Sequence, residues 1–236
     1  MRPVPGAVRV GYIKNNSNTW CTKGFNVRRN GELGFLVNSH CTRDIGFVDQ
    51  VRFYQDWVGP GKAIGVETLD PAFYMGGGSC PPFATCRFSD AAYVRYGDPA
   101  NSGRNTLPRI TTANGRTYDD SNLRMVTGKT YVPVNGEILD KIGVQTGWTR
   151  GTVVKTCVTS PMGGVARWLK CQDYVQANSG FTNADNGDSG SPVYSLNSNG
   201  TAQARGIVWG LGGSNRYIFS NIRNIERDLG ILAFGY

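Results

Sequence analysis

The segment Gly187-Asp188-Ser189-Gly190-Ser191-Pro192 stands directly before the apolar pair Val193-Tyr194. Glycines flanking a serine allow a sharp backbone turn that leaves the hydroxyl at its tip, with successive amide N–H groups free to converge on one point. Serine alone is a weak nucleophile and needs a base within hydrogen-bond reach. The chain holds one histidine, His40, so a Ser–His mechanism has no choice of base. His40 follows the apolar run Leu33-Gly34-Phe35-Leu36-Val37 and precedes Cys41, whose disulfide would hold that strand end rigid. A lone histidine is ordinarily a surface or satisfied core residue. The Asn38-Ser39-His40-Cys41 context and the serine segment together outweigh that reading.

A third group must orient the imidazole and stabilise its charged form. Asp90 leads directly into Ala91-Ala92-Tyr93-Val94-Arg95. There a carboxylate sits at a barrel edge, partly buried, in what is otherwise a costly placement. Asp44, Asp49, Asp56 and Asp70 lie in loop-like stretches and are expected to be solvated.

The elements that position these groups are short. Glycine supplies 32 of 236 residues and charged residues only 18%, a composition rich in turns and poor in long amphipathic helices. Alternating or apolar segments predict strands at Gly24–Arg28, Leu33–Asn38, Phe47–Phe53, Ala63–Glu67 and Ala91–Tyr96. A second run covers Lys141–Thr146, Thr152–Val158, Ala166–Val175, Ser191–Tyr194, Ala204–Trp209 and Tyr217–Ser220. From Asn221, Ile222, Ile225, Leu229 and Leu232 recur at helical spacing ahead of Gly235. The stretch between Gly97 and Lys129 is polar and reads as a crossing connection. The expectation is an all-β protein: an N-terminal barrel over 1–105, a linker over 106–130, and a second barrel with a C-terminal helix over 131–236.

No stretch approaches the roughly 18 uninterrupted apolar residues of a membrane helix, and recurring apolar runs with 11% aromatics exclude disorder. The net charge of +8 is scattered, its densest group being Arg28-Arg29 with Lys23 nearby. That reads as a soluble protein of high pI rather than a nucleic-acid binder. Six cysteines at 21, 41, 80, 86, 157 and 171 form no CxxC pair, and with one histidine no metal site is expected. Of 15 possible pairings, clustering favours Cys21–Cys41, Cys80–Cys86 and Cys157–Cys171, and disulfides imply an oxidising compartment. Residues 1–12 lack the apolar core of a signal peptide. The expectation is a secreted protein in mature form, with Met1 a remnant of expression.

The ordered set His40, Asp90, Ser189 resembles the chymotrypsin-like serine proteases. Four passages carry the likeness: Phe35–Cys41 (FLVNSHC), Asp90–Arg95 (DAAYVR), Gly187–Pro192 (GDSGSP) and Val208-Trp209-Gly210. Gly143-Val144-Gln145-Thr146-Gly147, followed by Gly151-Thr152-Val153, is similar to the start of the second barrel in secreted bacterial members. The resemblance implies two six-stranded antiparallel Greek-key barrels with the site in the cleft between them. It further implies an oxyanion hole from the Gly187 and Ser189 N–H groups, and pairing of extended substrate with Val208, Trp209 and Gly210. The implied activity is endopeptidase, without cofactor or metal, by a monomer acting on peptide or protein substrates and on its own removed prosegment, with no nucleic-acid or membrane partner.

Departures from the family pattern set further expectations. The family usually has Ser where Val208 stands, its hydroxyl touching the triad carboxylate. That bond is lost here, or another donor supplies it. In place of a free N-terminus, an internal cation should pair with Asp188, with Lys141 the first candidate and Arg43 the second. Asn183 matches the pocket base, where a neutral side chain cannot reward Lys or Arg with a buried ion pair. With Gly210 and Gly212-Gly213 leaving an open wall, cleavage after bulky uncharged residues is expected. Arg216 reaching the pocket would instead favour Glu. Two other classes compete: an inactive protease-like binding module, which the intact triad opposes, and an α/β hydrolase, whose order is Ser, acid, His.

Overall fold

The computed structural model describes residues 4–98, 103, 105–108, 123–163 and 166–235. The first half carries β1 (Arg9–Lys14), β2 (Ser17–Thr22), β3 (Asn26–Arg29), β4 (Glu32–Asn38), β5 (Arg52–Gln55) and β6 (Ala63–Leu69). Next come β7 (Tyr74–Met75), β8 (Thr85–Arg87), β9 (Ala91–Tyr96), β10 (Thr106–Pro108) and β11 (Leu123–Lys129). The second half carries β12 (Ile138–Gly143), β13 (Gly147–Pro161), β14 (Arg167–Ala177), β15 (Pro192–Leu196), β16 (Ala202–Leu211) and β17 (Arg216–Asn221). Helix α1 (Ile222–Leu229) and β18 (Leu232–Ala233) follow.

Six antiparallel strands, in the order β1-β5-β6-β9-β4-β3, form the first barrel. Backbone bonds between Lys23 and residues 7 and 8, each 2.8 Å, bring its two ends together. Alternation sorts the side chains. Phe35, Val37, Ala92 and Val94 fill the barrel interior, while Leu36, Ala91 and Tyr93 point outward into a shared core with α1 and β16. In the second barrel β12-β13-β14-β17-β16-β15 close a full ring, every neighbour antiparallel. Leu139, Val153, Val175, Val193, Val208 and Phe219 pack inside it. The predicted all-β architecture is therefore present.

Several local expectations are corrected. Strands β1 and β2, absent from the expected set, pair with each other over residues 9–22. Of the strand expected at Phe47–Phe53, only residues 52–53 lie in β5, because Asp49 and Val51 give their N–H groups to the Glu67 side chain instead of a ladder. Strand pairing also crosses the expected boundary at 105: β7 and β8 belong to the second sheet, and β18 pairs with β3 of the first. Residues 109–122 of the expected linker lie outside the described residues. Gly230, at φ 82°, ends α1, so Leu232 sits in β18 rather than in the helix. Lys23 is not part of a surface patch. It is fully buried, its ammonium bonded to Pro5 O (3.1 Å) and Asn26 Oδ1, and burial pushes its pKa well below the usual value. The three sequence-local disulfides are formed.

Candidate active site

Strand β4 ends at Asn38 and turns through one 3-10 turn, Ser39–Cys41, tied to β2 by Cys21–Cys41. Asn38 pairs with Ala91 in the β4–β9 ladder, so Asp90 arrives beside His40. The backbone locks this: Ser39 N–H donates to Asp90 O (3.0 Å) and Asn38 Nδ2 to the same oxygen (2.9 Å). His40 N–H donates to Asp90 Oδ1 (3.2 Å), and His40 Nδ1 meets Asp90 Oδ2 in a short contact. On the other side of the ring, His40 Nε2 lies 2.7 Å from Ser189 Oγ. Asp90 is fully buried, and the imidazole is 28% exposed.

The serine lies on a loop, not a ladder. Gly187 has φ 103°, and a Cβ there would lie 1.9 Å from the Trp20 ring, so only glycine fits. The buried Asp188 carboxylate accepts the N–H groups of Gln145 (2.8 Å) and Thr146 (3.2 Å) and the Thr146 hydroxyl. Lys141, fully buried, reaches Asp188 at 3.4 Å. Burial lowers the Lys141 pKa and the Asp188 charge opposes that shift. Arg43, the alternative cation, lies instead against Asp44 and Asp49.

Thr22 joins the two barrels at this loop. Its N–H donates to Ser189 O and its hydroxyl to Gly187 O, both 2.8 Å, while the hydroxyl accepts Val144 N–H at 3.1 Å. Among the described residues the Gly187 and Ser189 N–H groups donate no hydrogen bond within the protein.

Asp49 and Asp70 are not solvated, contrary to the sequence reading. Asp49's side chain is 1% exposed, and Asp70 is buried against the fully buried Arg87, with Nη1 to Oδ1 at 2.7 Å. The other Asp70 oxygen accepts the Ser39 hydroxyl (2.6 Å) and Gly46 N–H (3.2 Å). Burial raises the Asp70 pKa, while Arg87 and Ser39 pull it back down. Asp44 and Asp56 are exposed, as expected.

A cavity of about 230 Å³ opens beside His40 and Ser189, walled by Ala184, Val208, Trp209, Gly210 and Leu211, with the exposed Asp185 also lining it. A Cβ on Gly210 would meet only Ile218 Cδ1, at 3.9 Å, so that wall is open. Two residues expected in the pocket do not line it. Asn183 Nδ2 donates to Arg216 O (2.5 Å) and its Oδ1 accepts Ala184 N–H, so backbone consumes its polar atoms. Arg216 turns its Nε to Gln176 Oε1 (2.9 Å). An adjoining apolar cavity of about 460 Å³ is lined by Ile45, Pro161, Met162, Trp209 and Ile218. Among the described residues the candidate metal-ligating cluster is Cys21, His40 and Cys41, whose two sulfurs are tied in a disulfide.

No protein-family model matches the chain, and no curated protein sequence matches it. Solved structures do. A glutamic-acid-specific serine protease aligns at 20% identity over 98% of this chain and 100% of its own, with a TM-score of 0.66. Protease A of Thermobifida fusca aligns at 21% identity over 98% and 99%, TM-score 0.65. Nocardiopsis protease aligns at 21% identity over 99% of both chains, TM-score 0.63. The chain has the fold of the bacterial chymotrypsin-like serine proteases.

Proposed function

We propose that the protein is a secreted, monomeric serine endopeptidase acting on peptide or protein substrates. The observation that carries this reading is the continuous chain Asp90–His40–Ser189, with two unspent N–H groups beside the serine. Ser189 Oγ attacks the scissile carbonyl carbon while its proton passes to His40 Nε2. The tetrahedral oxyanion takes the Gly187 and Ser189 N–H groups. The C–N bond breaks as His40 returns the proton to the leaving amine. Water then repeats the sequence on the acyl-serine ester, releasing the acid and restoring Ser189. Asp90 stays ionised throughout and stabilises the imidazolium. Substrate backbone lies extended along Val208–Gly210. Three disulfides support residence in an oxidising compartment.

Cleavage follows bulky uncharged side chains, a reading supported by the Val208, Trp209 and Leu211 walls. The glutamyl alternative has less support. The glutamic-acid-specific protease uses a histidine triad in substrate binding; this chain has one histidine, placed at Ser189. Arg216 faces Gln176, and the exposed carboxyl group lining the cavity is that of Asp185.

The test is labelling by a fluorophosphonate together with hydrolysis of matched peptides bearing Phe, Glu or Arg before the scissile bond. Labelling that maps to Ser189 and fastest cleavage after Phe are expected. A wild-type protein that neither labels nor cleaves is the binding module. Preference for Glu or Arg overturns the specificity alone.

A further inference from the structure

We propose that Arg87 is a positioning residue for the reaction, its buried guanidinium holding Asp90 in place where Val208 offers no hydroxyl. This rests on the serine-protease reading. Asp90 is fully buried, and among the described residues its carboxylate has partners only in His40 and Arg87. Arg87 Nη2 lies 3.8 Å from Asp90 Oδ1, on the side away from the imidazole bond to Oδ2. The same guanidinium grips the backbone on both sides of Asp90: Nε donates to Ser89 O, and Nη2 to Ala91 O (3.3 Å). Nη1 donates to Asp70 Oδ1 and Pro71 O. Asp70 in turn holds the hydroxyl of Ser39, the residue before His40. One cation thus connects the segments that carry the acid and the base.

The charges around it decide the sign of its effect. Arg87 faces Asp70 and Asp90, with the Phe73 ring 5.0 Å from the guanidinium carbon. From α1, Asp228 caps the Phe88 and Ser89 N–H groups, and the Arg87 charge acts on it. Near His40, Lys14 Nζ donates to His40 O at 2.9 Å, and Tyr12 feels the Asp90 charge. A cation beside Asp90 offsets part of that carboxylate's pull on the imidazolium. Removing it while Asp70 is held neutral leaves Asp90 facing His40 alone. The imidazolium should then gain stability.

The experiment compares Asp70→Asn with Asp70→Asn/Arg87→Met, and wild type with Arg87→Lys. His40 is the sole histidine, so its ring resonances titrate without overlap in an NMR spectrum, whether or not the protein turns over substrate. Between Asp70→Asn and the double variant, the His40 midpoint should rise by about one pH unit. The acid limb of kcat/KM should move with it, and kcat should fall about 100-fold with KM within about twofold. Arg87→Lys keeps the charge but cannot reach Ser89 O and Ala91 O together, so it should leave the midpoint in place and lower kcat about tenfold. A double variant matching Asp70→Asn in both midpoint and kcat would show that Arg87 serves Asp70 alone, and would overturn the proposal. Where the double variant does not fold, wild-type kcat in Arg87→Lys overturns it. Absence of hydrolysis and labelling in the wild type is a separate result: it rejects the protease reading, while the titration still reports whether Arg87 acts on the Asp90–His40 pair.

Discussion

The two barrels present their halves of the site in different ways. His40 and Asp90 stand at adjoining ends of β4 and β9, strands paired residue by residue from Gly34–Arg95 to Asn38–Ala91. Ser189 stands on a loop between glycines with φ 103° and 89°, outside any ladder. Each half has a buried ion pair behind it, Arg87–Asp70 in one and Lys141–Asp188 in the other. In the first half, regular pairing already places the backbone, and the ion pair braces Asp90 and the carbonyls on either side of it. In the second, the Lys141–Asp188 pair and the cross-barrel bonds of Thr22 fix the backbone itself. Regular sheet can hold an acid and a base. Exposing a serine hydroxyl beside two free amides requires irregular backbone, and polar groups must then hold it in place.

The largest effect tests whether the halves act as one unit. Ser189→Ala and His40→Ala should each lower kcat by roughly 10⁴- to 10⁶-fold, with the double variant little worse than either. Active-site kinetics on the three proteins would settle it; additive losses would mean the residues do not share a step. Lys141→Met should come next, since it strands the Asp188 carboxylate in the interior at a cost of about 3–5 kcal/mol. Thermal unfolding should register that loss, and hydrolysis should fall at least about tenfold. An active, stable variant would remove the contrast between loop and ladder. Thr22→Val deletes the hydroxyl that links Gly187 O to Val144 N–H. A loss of about 0.5–1.5 kcal/mol and a severalfold fall in kcat at unchanged KM are expected, with Thr22→Ser restoring both.

A change with pH rather than in turnover probes the first half through Glu67, whose carboxyl is pushed up to about 8 by burial and by Asp49 nearby. A raised carboxyl contributes stability that is full below its unfolded value and is lost as pH rises through about 8. Relative to Glu67→Gln, the wild type should therefore lose Tm steadily between about pH 5 and 8. Parallel melting curves for the two proteins across that range would contradict the assignment.

Local chemistry was legible in the sequence where one segment carries it whole. The serine turn, His40 beside Cys41, Asp90 opening an apolar strand, and the strand Ala91–Tyr96 all appear as read. Pairing across the chain was not legible. Thr22 meets Gly187 at a separation of 165 residues, and a threonine after a cysteine carries no sign of that. Arg87 and Asp70 look like any surface cation and loop acid, because burial of a charge depends on partners brought together by the fold. Asn183 failed for a related reason: its position matched the pocket base, but nearby backbone groups had already taken its amide. Strand β1 carries a legible signal, since Val10 and Tyr12 point inward at the spacing of two that marks a strand.

The short strand β18 has a consequence for how the molecule is made. Leu232 and Ala233 cover the outer edge of β3, and Arg29 Nε donates to Leu229 O across 200 residues. A ribosome must therefore add the whole second barrel after the first has emerged before that edge can be covered. Until then β3 presents unpaired backbone groups, a template for pairing with a neighbouring nascent chain. Contacts of such long separation also slow the search for the native state. The N-terminal barrel emerges first from synthesis, yet it is among the last parts to be finished.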